Sequence, residues 1–509
     1  MIVLVPEVRR LKPLAVGSVG ALAAIALGLH LWVNLVTPYG FHRDEFLYLA
    51  MGRHLRLWRM DFPPGIALIA EGTRAALGDS LAAIRAGPAL AGALLVIMAA
   101  LFARELGGGR RAQVLAALAV LASPLFLRAA NLFQPVVFDQ LLWSLALFAL
   151  ARLCWRPDPR WWIGLGVALG LGLLVKFSIV FIGLGIVAGV LLSGLRRSLA
   201  GPWPWVAFAV ALAIGSPSLV GQWALGYPVL GQMRDLQSAQ LERVTPAAFL
   251  LGQVVWGPGV LLAAGGAVAL LMAKRFERQR ALGWSCLAAF AILLLLKGKP
   301  YYVGPVYPLL FAAGAVPLER SALRWVLGGL ILLAGAILLP LGVPILPPER
   351  MAGYIQTIGA TAALRTNTGE IERLPQDYAD MLGWKEQVRA VAGVYHALPE
   401  AERREAVVLA GNYGQAGAID LFGPALGLPR AVSPTGSYWF FGPGDRPGRV
   451  AVVIGPSRED LEPFFDSLEV AGRAGHPWAV AEERDLTIFV AREPRQSLQQ
   501  VWPALAGRH

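Results

Sequence analysis

Charge is scarce in this chain. Only 15% of its 509 residues are Asp, Glu, Lys or Arg, against about 25% in an ordinary soluble domain, which excludes a protein that is water-soluble throughout. Cysteine is scarcer still. Cys154 and Cys286 form neither a disulfide framework nor a metal-binding spacing, and both read as packed thiols. There is no P-loop and no true dinucleotide fingerprint, so no nucleotide cofactor is expected. Long apolar runs recur from Leu14 to about Leu346 and are missing from 347–509.

These features predict two parts: a polytopic α-helical membrane domain, 1–346, and a water-soluble domain, 347–509. Eleven spans can be drawn, at 14–36, 81–103, 112–129, 134–151, 161–175, 178–194, 204–222, 247–273, 281–297, 302–318 and 323–345. The N-terminal apolar stretch is too long for a typical cleaved signal and reads as an uncleaved first span. The net charge of +12 does not point to nucleic acid, because Arg and Lys sit in short gaps between apolar runs. Arg9, Arg10 and Lys12, then Arg104, Arg110 and Arg111, then Arg152, Arg156 and Arg160, and the later basic groups all fall on one side of an eleven-span chain. The positive-inside rule makes that side cytoplasmic, with the N-terminus there and the soluble domain outside.

The outer side then receives the loop 37–80, which carries Asp44-Glu45 and, just before Pro63-Pro64, Asp61. Carboxylates at the mouth of a membrane helix are costly unless they meet water, a cation or a substrate. Asp44 is the candidate general base and Glu45 a supporting or metal-facing group. The alternative makes Asp44 the N-cap of a helix over 45–58. That helix reads as amphipathic, and 65–77 as an apolar stretch too short to span. Arg43, Arg53, Arg56, Arg59, Arg234 and Arg243 put positive charge on the outer side, for an anionic ligand or for lipid headgroups. Asp139 lies a little over one turn inside the outer end of the fourth span. It either faces a cavity or pairs with Arg128 or Lys176. The run KGKPYYVGPVYP brings Lys297, Lys299, Tyr301 and Tyr302 to the same face, with Lys176 nearby. Lysine binds phosphate as a point charge, and both residue types also serve as plain interface anchors.

The tail reads as α/β. Strands are predicted in REAVVLAG, GRVAVVIG and LTIFVARE, and helices in DMLGWKEQVRAVAGVYHAL and REDLEPFFDSLEVAGRA. GNYGQAGAIDLFG follows the first strand, where such sheets place ligand loops; a tight strand-to-helix turn is the alternative.

The pair in RDEFLYLAMGRHL, the acid before Pro-Pro in MDFPPG, Asp139 and LKGKPYYVGPVYP resemble the polyprenyl-phosphate-dependent glycosyltransferases of the GT-C fold. The branch resembled is the bacterial one of glycosyltransferase family 39, related to protein O-mannosyltransferases and the lipid A aminoarabinose transferase. The resemblance covers about 14–345. It implies an inverting transfer of sugar from an undecaprenyl-phosphate donor to a hydroxyl of a periplasmic acceptor, in the bacterial inner membrane. It also implies Asp44 as base, with Lys297, Lys299, Tyr301 and Arg243 on the lipid phosphate. Asp61 and Asp139 would shape the sugar or acceptor site or, with Glu45, a divalent metal site. One departure is Phe62, where the aminoarabinose branch has Lys before Pro-Pro. The competing class is a transporter or lipid flippase, but no internal repeat joins the two halves, and the polar residues gather at one face rather than at the midplane.

Overall fold

The computed structural model describes residues 11–506 apart from 157 and 255. Arg9 and Arg10 lie outside the described residues. The eleven predicted segments coincide with helices or bent helix pairs. Among the described residues, six of these helices are long and apolar enough to cross a membrane, or nine spans if each of three bent pairs counts as one. The figure of eleven crossings therefore rests on the sequence. Leu332, Leu333 and Trp325 are among the large apolar side chains left on the outer surface, as lipid contact requires.

The first seven helices carry the argument: α1 (Val16–Val36), α2 (Arg43–Arg53), α3 (Gly65–Leu77), α4 (Leu81–Glu105), α5 (Arg110–Leu121), α6 (Pro124–Ala130) and α7 (Pro135–Leu153). Helix α4 has 25 residues, a length of roughly 37 Å at 1.5 Å per residue. In its last turn, Arg104 donates to the Lys12 carbonyl, and Lys12 pairs with Glu319 at 3.0 Å. In its first turn, Arg85 reaches Glu45. The basic loops and the acid loop thus sit at opposite ends of a helix long enough to cross the hydrocarbon.

Pro63-Pro64 separates α2 from α3, as the sequence predicts, but α2 is shorter and earlier than the expected 45–58. It starts at Arg43 because His42, not Asp44, is its N-cap. The His42 ring accepts from the Asp44 amide at 3.1 Å, and Glu45 accepts from the His42 amide at 2.7 Å. This reciprocal closure is a capping box built on histidine.

The C-terminal part is a five-stranded sheet in the order β2-β1-β3-β5-β4, formed by β1 (Val407–Ala410), β2 (Ala431–Val432), β3 (Val450–Ile454), β4 (Phe465–Ala474) and β5 (Leu486–Pro494). The pairs β1–β2 and β1–β3 are parallel, whereas β3–β5 and β4–β5 are antiparallel. One predicted helix is corrected here. In REDLEPFFDSLEVAGRA only Arg458–Leu461 is helical; a turn follows, and Phe465–Ala474 is β4. The sheet covers the end of the bundle that carries the acid loop, through the helix Tyr413–Phe422, which lies on α2. The approach is close: a Cβ at Gly417 would come within 2.5 Å of the Phe46 Cβ.

Candidate active site

Neighbouring residues on a helix point about 100° apart, and the two acids of α2 have separate surroundings. Glu45 is fully buried and pairs with Arg85 of α4 through both oxygens, at 2.8 and 2.7 Å. It also accepts from the amide of Phe133 at 2.7 Å. Burial pushes its carboxyl up, but the Arg85 charge and these donors outweigh that and hold it below the usual range. Asp44 is half-buried. Its Oδ2 accepts from Gln134 Nε2 at 3.0 Å, at the head of α7, and its Oδ1 from the Tyr413 hydroxyl at 2.9 Å, across the domain boundary.

Around Asp44 lies the stretch 299–302. Tyr48, one turn further along α2, is pushed well above the ordinary phenol range by burial and by the charges of Asp44 and Tyr302. Tyr301 and Tyr302 pack edge to face, and the Lys176 ammonium sits over their rings at 5.9 and 5.1 Å. Lys299 donates to Asn367 at 3.2 Å. Burial draws its ammonium down to about 8, while Asp377 and Asp44 hold the proton on and Lys176 and Arg128 repel it. The sequence-predicted Asp44, Lys176, Lys299, Tyr301 and Tyr302 therefore form one cluster.

Other predicted residues fall elsewhere. Asp139, about one turn deeper along α7 than Gln134, is 3% exposed and accepts from Trp143 at 3.0 Å and Ser178 at 2.7 Å, close to the Lys176 charge. It supports Lys176 rather than Arg128, which pairs with Asp377. Asp61 accepts from Ser437 of the C-terminal domain at 2.8 Å, and its carbonyl accepts from Gln222. Arg43 pairs with Glu482 at 3.4 Å and lies over the Tyr413 ring at 5.3 Å, a contact between domains. Arg243 is exposed beside Gly369, in the same turn as the Asn367 partner of Lys299. Lys297 is exposed in the left-handed region, at φ 54°.

The expected metal ligation by Glu45 and Asp61 is a misfit. Glu45 spends both oxygens on Arg85 and backbone amides, and the carboxylate of Asp61 is turned to Ser437. Among the described residues, no group of three or more His, Cys, Asp or Glu is placed to hold a metal ion. Buried and ion-paired with Arg85, Glu45 anchors the start of α2 to α4.

The profile of the family described as dolichyl-phosphate-mannose-protein mannosyltransferase matches residues 61–223, a stretch that begins downstream of Asp44. Among solved structures, ArnT from Cupriavidus metallidurans bound to undecaprenyl phosphate superposes with a TM-score of 0.64 at 18% identity, over 93% of this chain and 98% of that one. Its fold is GT-C. The apo form of the same ArnT gives 0.63 at 19% identity over the same shares. The apo oligosaccharyltransferase of Archaeoglobus fulgidus gives 0.50 at 13% identity, over 82% of this chain and 64% of that one. No curated protein sequence matches the chain. The GT-C likeness extends through the C-terminal domain, where the sequence resemblance was confined to placement and general type.

In this GT-C chain several residues of the cluster carry little sequence signal. Arg85 has one, as a lone cation in the apolar run LAAIRAGPAL. Tyr413 stands in the loop after the first tail strand, which was singled out by position. His42, Gln134, Asp377 and Asp380 had none. That loop opens into a cavity of about 400 Å³ lined by Gly411, Asn412, Tyr413, Gly455 and Arg43, among others. The cavity lies at the carboxyl ends of two adjacent parallel strands, the place where such sheets form ligand crevices.

Asp380 lies 3.8 Å from His42 Nε2, and its carbonyl accepts from the Arg43 amide at 3.1 Å. Burial pushes its carboxyl up to about 7; His42 and Arg43 oppose this, while Asp44 and Asp377 add to it. The unfolded value is about 3.9, so between the two the folded state binds the extra proton. The group's contribution to stability thus falls as pH rises from about 4 to about 7. Asp380→Asn needs no proton. Its unfolding midpoint should gain on wild type as pH rises over that window and then hold level. A gap independent of pH would refute the assignment.

Proposed function

We propose that the protein is an inverting glycosyltransferase that moves a sugar from a polyprenyl-phosphate donor to a hydroxyl of an acceptor on the outer face of a bacterial inner membrane. The observation that supports this best is the meeting of one half-buried carboxylate, Asp44, with Lys299, Lys176 and a tyrosine pair at one end of the bundle, beneath the C-terminal domain. Asp44 takes the acceptor proton as the acceptor oxygen bonds to the anomeric carbon from the face opposite the leaving group. The bond from that carbon to the phosphate oxygen breaks, and its electron pair leaves with the lipid phosphate. Lys299 meets the developing charge, and its loose tie to Asn367 is readily exchanged for a phosphate oxygen. Lys176, held between Asp139 and the tyrosines, adds a second positive charge.

The test is consumption of labelled polyprenyl-phosphate sugars by the purified protein in detergent, scored as released polyprenyl phosphate in the presence of envelope-derived acceptors. Lys299→Met should raise KM for the donor about tenfold or more, the loss of one charge-assisted contact. Wild type that consumes no donor with any acceptor would count against the reading. So would a Lys299→Met variant whose only defect is in KM for the acceptor.

A further inference from the structure

We infer that the C-terminal domain completes the reacting centre through Tyr413, a positioning residue whose phenol fixes the carboxylate of Asp44. This rests on the transferase reading. A carboxylate turns easily about its last torsion, where the preference is broad and two-fold. Asp44 is clamped there by one donor on each oxygen, from opposite parts of the chain: Gln134 of the membrane domain on Oδ2 and Tyr413 on Oδ1. A carboxylate oxygen has two acceptor positions. Each oxygen therefore keeps one for the acceptor hydroxyl.

The clamp is itself held. Tyr413 is the first residue of its helix, and Asn412 caps that helix by accepting from the Gln415 amide at 3.0 Å. The Asn412 amide donates to the buried Glu483 at 2.7 Å, which anchors the turn. The Arg43 guanidinium covers one face of the tyrosine ring, and Gly436 packs against its edge. Burial and the Asp44 charge keep the phenol well above its ordinary range, so it remains a donor at any working pH. The same helix docks on α2 through Gly417 and Phe46, so one contact sets the distance between the clamp and the base.

The test is Tyr413→Phe in the full-length protein, which keeps the ring and the Arg43 contact. We expect kcat to fall about 10- to 100-fold, the scale on which small misplacements act, with KM for donor and acceptor and the unfolding midpoint little changed. Asp44→Glu carries the carboxylate out of the clamp, so in that background the same substitution should cost less than about twofold. Equal losses in both backgrounds, or a change in KM alone, would overturn the inference. A donor-free measurement separates this from failure of the transferase reading: carbodiimide labelling of Asp44, located by peptide mass spectrometry. Loss of the phenol uncovers Oδ1 and frees the carboxylate to turn toward the reagent, so Tyr413→Phe should speed labelling several-fold whether or not sugar is transferred. Unchanged labelling would overturn the role of Tyr413 even in an active enzyme.

Discussion

Arg85→Leu should cost about 3–5 kcal/mol of stability, the scale for leaving a buried charge without its partner. Arg85 and Glu45 are both fully excluded from solvent. Besides its two bonds to Glu45, the guanidinium donates to the Gly40 carbonyl at 3.1 Å and to Asn34 at 3.4 Å. One side chain of α4 thus ties down the end of α1, the turn before α2 and the first turn of α2. Without it, Glu45 must take up a proton or drag the helix outward, and Asp44 moves with it. The expected result is a low yield of folded protein and a strongly lowered unfolding midpoint in detergent. The double replacement Glu45→Met with Arg85→Met should recover part of the loss, because two apolar side chains leave no orphan charge. A single variant that unfolds at the wild-type temperature would show that the pair does not hold the loop.

Asp44→Asn should lower kcat by about 10²- to 10⁴-fold, the usual contribution of a positioned general base. The amide has almost the same shape, and it can keep the Tyr413 hydroxyl as donor to its oxygen. Folding and donor binding should therefore survive while transfer is lost. The measurement is sugar transfer beside an unfolding curve and a donor-binding curve for the same preparation. Transfer at the wild-type rate would remove Asp44 from the chemistry and turn attention to Asp377 and Asp380, which lie at the same interface.

The large division of the molecule is legible in the sequence, because it depends on composition over long windows. The apolar runs end near Leu346, and strands appear where short runs of Val, Ile and Leu stand in the tail. The outer loop is legible for a local reason: Pro63-Pro64 must break the chain between two helices wherever they lie. Asp44 and Lys299 stand out because charge is rare among apolar runs. Their neighbours do not stand out. Glu45 looks as reactive as Asp44 until Arg85, 40 positions on, is brought against it. Tyr413 meets Asp44 across 369 positions, and no local pattern carries that contact. Strand β4 is the edge strand next to β5 and is mostly exposed along its length, with Val470 at 55%, so its sequence lacks the alternation expected of a half-buried strand. Pairing with β5 overrides whatever helical preference the segment has.

The glycine at the crossing of α2 and the Tyr413–Phe422 helix limits which halves can be exchanged between chains. Any larger side chain at Gly417 meets Phe46, and one turn before it stands the phenol that reaches Asp44. A C-terminal domain grafted from another chain would need both features in the same register to work here. Exchanging the membrane half or the C-terminal half alone should therefore yield folded but idle chimeras.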